Sequence, residues 1–417
     1  MKEPIAIIEN EKTFSTFHFY NDFIKRVAQF YTNDFNGEKI EFILSTESFE
    51  NFDSKHYIDP IALPLLVSLA EQLKIYHNNE ALNFHLINTP ATINFLEFLY
   101  KSDFFHLVGK NINPTFPKGK NIFNYNEAYL GGFKGSNQRS HHKIRGYSLV
   151  DDNLTNSNYE KLTEEEKKNF RDTLVEYYTY KVQLHFSELL HENIHSPDSV
   201  GDFIEILSEL ITNGVLHSKS DVFALMFSDR FNTKFSISDN GIGFLESLNS
   251  KEESKTYKKF EIFKDLGSKI KMSISQSMKK SILSIFEALY YSMLKDRYGL
   301  FDLMCKVVIE NGGYFRLHNE NAQIIISHRM INELLEIYNY RTEIIKIHNE
   351  FMYNTIDSKI YNENIINAST HCKDSFIKLA LSIFDKYNSD AKFSSLRFYE
   401  VKFKGVHIEV EIPNTNS

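Results

Sequence analysis

Only two cysteines, Cys305 and Cys372, occur in 417 residues, so neither a disulfide framework nor a cysteine-based zinc site can be built. No apolar run approaches the ~20 residues needed to span a bilayer. Residues 1–13 also lack the basic start and apolar core of a signal peptide, which makes a cytoplasmic protein without membrane contact the expectation. The formal net charge of -8 argues against a general nucleic-acid binder and leaves room only for a local basic patch. Gly-x4-Gly-Lys-Ser/Thr does not occur, so there is no P-loop. Internal repeats and low-complexity tracts are absent too. What is present, 417 residues of which 42% are hydrophobic, suffices for two or three ordinary domains.

Two segments in the middle of the chain carry the chemistry. In Glu209-Leu-Ile-Thr-Asn213-Gly-Val-Leu-His217, the apolar residues Phe203, Ile206, Leu207, Leu210 and Ile211 recur at helical spacing and form a stripe to bury. Glu209, Asn213 and His217 follow one another at intervals of four and therefore stack on a neighbouring face. A carboxamide oxygen is a hard ligand suited to Mg²⁺, and a carboxylate one turn away can polarise a water or a hydroxyl. An amphipathic helix with a solvated polar edge would explain this segment alone. The second segment, Asp239-Asn-Gly241-Ile-Gly243-Phe, changes the balance. It follows two expected strands, Val222–Phe227 and Lys234–Ser238, separated by a turn over Asp229–Thr233. Its glycines allow close approach of backbone to a ligand, and its carboxylate can accept a hydrogen bond from an exocyclic amine such as that of adenine.

In this order and spacing, Glu209–His217 resembles the asparagine box, and Asp239–Phe244 the first glycine box, of the GHKL (Bergerat-fold, histidine-kinase-like) ATPases, with the anti-sigma-kinase subgroup as the nearest likeness. Arg297-Tyr-Gly299-Leu300, running on to Asn311-Gly312-Gly313, partly resembles the second glycine box and its helix. Only Gly299 stands where the family usually has a richer Gly-x-Gly. Gly405–Pro413 resembles the strand that closes such domains. The resemblance covers roughly residues 160–413. It implies that Asn213 binds Mg²⁺, that Asp239 reads the adenine amine, that Gly241, Gly243 and Gly299 shape the nucleotide pocket, and that Glu209 is the general base. His217 would be structural.

Residues 245–272, with Lys251, Lys255, Lys258, Lys259, Lys264, Lys269 and Lys271, stand where that family has a lid, and Ser273–Leu294 is expected to be a helix. In the N-terminal third, Ile40–Ser45 and Ala81–Ile87 read as strands, and Asp59–Leu73 and Ala91–Lys101 as helices, the first opened by Asp59 and Pro60. This resembles a STAS domain. Pro60 holds the place where that family commonly has a phosphorylatable serine, so no phospho-switch is expected. The glycines and prolines of 111–158 predict an irregular linker, and His141 and His142 have no partner at metal-ligand spacing. Leu162–His191 reads as a helix bridging domains; His185 and His191 lie on it outside the setting of a phospho-accepting histidine. Ile331–Ile347 and Phe376–Tyr387 read as helices of an insertion without a catalytic signature.

The expected architecture is thus α/β (α+β): a STAS-like domain over 1–110, a linker over 111–158, and a GHKL two-layer sandwich over 159–328. A helical insertion over 329–395 precedes a final strand and tail over 396–417. Helices are expected to cover one face of a mixed sheet. Three functions stay open: an Mg²⁺-dependent ATPase acting as a slow switch on a protein partner, a serine/threonine kinase of the anti-sigma type, and a nucleotide-binding scaffold without turnover. ATP and Mg²⁺ are the implied cofactors, and a homo-oligomer is open.

Overall fold

The computed structural model describes residues 3–413, except 9–12, 33–36, 46–57, 88–91, 114–115, 134–139, 157–158, 194–196, 218–219, 230 and 296–298, and except the side chains of 160, 164, 192–193, 197–199 and 217. The fold is α+β, with one parallel and one antiparallel sheet. The first sheet has the order β1-β2-β3-β4 and every pairing in it is parallel. In chain order its elements are β1 (Ile5–Ile8), α1 (Thr16–His18), which runs through a π-helical turn over Phe19–Phe23 into α2 (Ile24–Thr32), β2 (Glu41–Ser45), α3 (Leu63–Tyr76), β3 (Leu82–His85), α4 (Ile93–Lys101), α5 (Phe104–Val108) and β4 (Phe123–Asn124). Strand β1 is Ile-Ala-Ile-Ile and buried throughout, as expected of a parallel strand covered on both faces.

The second sheet is built from β5 (His142–Tyr147), β6 (Val222–Ser228), β7 (Asn232–Asp239), β8 (Tyr314–Ser327) and β9 (Leu396–Pro413), in the order β5-β6-β7-β9-β8. Its helices are α6 (Glu164–Asn193), α7 (Pro197–His217), α8 (Gly243–Asn249), α9 (Glu261–Lys269), α10 (Gln276–Met293), α11 (Leu300–Cys305), α12 (Ile331–Met352) and α13 (Ser358–Ser389). All its strand pairs are antiparallel, so the expected mixed sheet is corrected. Both of its faces are covered, not one. Strand β6 shows this directly: Val222, Ala224 and Met226 join the core under α6, α7 and α10, whereas Phe223 and Leu225 join the core of the N-terminal unit. Its continuous apolar run is therefore two half-buried faces read in alternation.

Helix α3 fills the gap between the sheets. It packs on β3 on one side and on β6 and β7 on the other, which explains why it is apolar almost all round. The segment expected to be an irregular linker holds β4, which pairs with β3, and β5, which pairs with β6. Each sheet supplies an open edge, and hydrogen bonding at that edge overrides the turn propensity of the surrounding glycines. Within the expected lid, α8 and α9 are helical. The insertion is one helical hairpin, α12 and α13, set between the paired strands β8 and β9. Among the described residues no helix is long and apolar enough to cross a membrane.

Candidate functional site

A cavity of about 130 Å³ opens where α7, the end of β7, the start of α8 and β9 meet. Leu210, Ile237, Leu300, Val406 and Ile408 make apolar walls around Asn213, Asp239 and Gly243. The period of two along β7 puts Asp239 on the same face as Phe235 and Ile237, towards the helices. Helical spacing brings Leu210, Asn213 and Gly214 to the opposite wall. Three residues singled out from the sequence are thus brought together.

The Asp239 end is held by backbone. One carboxylate oxygen of Asp239 accepts from the amides of Gly241 at 2.8 Å and Val406 at 3.3 Å. Burial pushes this carboxyl up to about 6, against the opposing pull of those two amides. Val406 can reach it because the preceding residue is glycine. Gly405 has φ +102, and a Cβ there would stand 1.9 Å from the Asp239 carbonyl oxygen. Gly243 likewise adopts φ +74, a conformation open to glycine, as α8 begins. The amide of the next residue, Phe244, donates to Asn319 Oδ1 at 3.1 Å.

The neighbouring residue Asn240 ties this end to the N-terminal unit. Its Nδ2 donates to Glu71 of α3 at 2.6 Å, while its Oδ1 accepts from Gln72 at 2.8 Å and from the Ser68 hydroxyl. Burial, followed by the Asp221 carboxylate beside it, raises Glu71 well above the usual carboxylate range.

The Asn213 end is held by a side chain that the sequence reading did not single out. Arg171 of α6 faces both polar residues of α7: Nη1 lies 3.4 Å from one oxygen of Glu209, Nη2 contacts the other, and Nη2 also donates to Asn213 Oδ1 at 3.2 Å. The guanidinium and the carboxylate are both buried. Glu209 lies one turn behind Asn213 and is not part of the cavity wall. The periodicity of α6 buries Leu174, Tyr178, Val182 and Phe186, and an arginine three residues before Leu174 on that stripe was the signal available.

Gly299 stands at the start of α11 in extended conformation, and its amide donates to Asp302 at 3.0 Å. Asp302 is in turn gripped by Arg341 of the insertion, from Nε and Nη2, each at 3.1 Å. The Phe301 amide donates to Ser292. These two amides are engaged within the protein, and Gly299 is not among the cavity walls. From the expected lid Ser247 reaches the cavity, beside Phe244 of the glycine segment, and none of the seven lysines does. Lys255 instead donates to Asn362 of α13. The side chains of His217 and residues 297–298 lie outside the described residues. His142, expected in a polar loop, is buried in β5 and stacked on Phe98 with ring centroids 4.1 Å apart. His185 shares a hydrogen bond with Tyr147 at 3.0 Å at the edge of the core, where partial burial pushes it down to about 3.

Compared with family models, curated proteins and solved structures, the chain matches none.

Proposed function

We propose that this chain is an Mg²⁺-dependent ATP-binding protein that hydrolyses ATP slowly and uses the nucleotide to change its contacts with a protein partner. The observation that carries this reading is the cavity in which Asn213, Asp239 and Gly243, drawn from three separate elements, converge among apolar walls. An apolar cavity with one fixed carboxylate suits a purine whose amine donates to Asp239. Asn213 offers an oxygen of the type Mg²⁺ accepts. Among the described residues no cluster of three or more His, Cys, Asp or Glu could hold a metal, so an ion here would draw its other ligands from water and bound phosphates, the usual habit of Mg²⁺. Mg²⁺ would supply charge neutralisation of the triphosphate; Glu209, once free of its partner, would accept the proton of the attacking water.

The buried pairing of Glu209 with Arg171 favours a second reading, nucleotide binding without turnover, because both oxygens of the carboxylate face the guanidinium and neither is free to take a proton from water. Calorimetric titration with Mg·ATP, with product analysis of the same samples, tests both. Binding by the wild type, its loss in Asp239→Asn, and ADP formed by the wild type but not by Glu209→Ala support the first reading. Binding without ADP selects the second, transfer of labelled phosphate to a protein would select a kinase, and no binding by the wild type sinks the nucleotide reading.

A further inference from the structure

We propose that Arg171 is the resident counter-cation of this site: it holds Glu209 and Asn213 together, and it competes with Mg²⁺ for the Asn213 amide oxygen. This rests on the nucleotide reading above. The geometry is specific. One nitrogen, Nη2, serves both the Glu209 carboxylate and Asn213 Oδ1, so the guanidinium is centred between the two groups assigned to base and metal. Arg171 Nε is buried without a hydrogen-bond partner, which leaves the side chain incompletely anchored and able to turn about its remaining contacts. Mg²⁺ on Asn213 would bring a divalent charge to the oxygen that already carries the guanidinium, and two cations on one partly buried amide oxygen repel. Metal binding therefore requires Nη2 to leave Asn213. Because Arg171 lies on α6 and Asn213 on α7, the same exchange loosens one contact between these helices, linking metal occupancy to the helix that joins β5 to the site. Arg171 is thus a positioning residue, acting through Glu209 and Asn213.

The test compares the affinity of a non-hydrolysable ATP analogue in Mg²⁺ with that in EDTA, for the wild type, Arg171→Met and Arg171→Lys. Removing the competing guanidinium should raise the Mg²⁺/EDTA affinity ratio by about tenfold in Arg171→Met, the scale of one charge-assisted hydrogen bond, and by less in Arg171→Lys, which keeps the charge but not the fork. A ratio unchanged in both variants, with analogue still bound, overturns the competition. Should Arg171→Met fail to fold, hydrogen exchange on the wild type decides. Amides around residue 171 should exchange faster when Mg²⁺ is added to the analogue-bound protein and not when EDTA is added; equal exchange overturns the proposal. No analogue bound by the wild type in either buffer is the failure of the nucleotide reading itself, and is seen before any variant is made.

Discussion

The two ends of the cavity are built by different means. At one end Asp239 is fixed by backbone amides, by a glycine that lets β9 pass against it, and by the anchoring of Asn240 to α3. At the other, Glu209 and Asn213 are held by one guanidinium from a different helix. A backbone-built end cannot rearrange without moving strands. A side-chain-built end can change partner by rotating a few bonds. On the proposed reading, the first would be a fixed recognition point and the second a site whose occupancy changes.

The largest effect should come from the fixed end. Gly405→Ala places a Cβ on the Asp239 carbonyl at a backbone conformation that alanine resists, so we expect a loss of ~3 kcal/mol in denaturant unfolding together with loss of nucleotide binding. Stability close to wild type would mean that the close approach of β9 does not hold this end. Next comes the exchangeable end. Removing one member of a buried ion pair strands the other, so Arg171→Met should cost about 3 kcal/mol, whereas Arg171→Met with Glu209→Leu should recover most of it. Additive losses would show that the two residues do not act as a pair.

A pH series separates the ends more finely. Asp239 is raised from 3.8 to about 6 in the folded chain, so between these values the folded state takes up a proton that the unfolded state releases. Its contribution to stability is then fully present below about pH 3.8 and lost as pH rises through about 6. On the proposed nucleotide reading the ionised carboxylate is the stronger acceptor for an amine, so affinity should run the other way, falling as pH drops below about 6. Asp239→Asn should abolish the stability slope in denaturant unfolding followed from about pH 4 to 7, and a slope that persists would place the titration elsewhere. The smallest effect concerns the insertion. Lys373 of α13 bridges Glu261 and Asp265 of α9, and Lys373→Ala should cost no more than about 1 kcal/mol while raising hydrogen exchange within α9. Unchanged exchange in α9 would mean that the bridge does not hold it.

Much of the fold was legible where an element carries its own period. β6, β7 and α10 fall close to their expected bounds, and α7 is the helix expected around Glu209–His217, because alternation and helical stripes are local signals. β1 and β8 were not read. The first is four residues long, and the second carries consecutive polar side chains, His318 and Asn319, that are both buried against other elements and break its alternation. β5 was hidden by flanking glycines, since a strand gains its stability from its neighbour's edge. In the site, Glu209, Asn213, Asp239 and Gly243 were found by spacing, and three of these four line or abut the cavity as neighbours. Gly299 was also singled out, but its amide turns inward to Asp302, a contact that depends on Arg341 from an insertion with no chemical signature.

The sequence by itself determined the elements: which residues form buried stripes, which strand ends in Asp239, and where a tight glycine turn must follow. Only the tertiary structure decided the partners, Arg171 with Glu209 at a separation of 38 residues, Val406 with Asp239 at 167, and Asn240 with Glu71 at 169. The physical reason is that periodicity records which side of an element faces the core, whereas a hydrogen bond or ion pair depends on which other element arrives there, and that is fixed only when the elements pack: α6 on α7, β9 beside β7, and α3 against the end of β7.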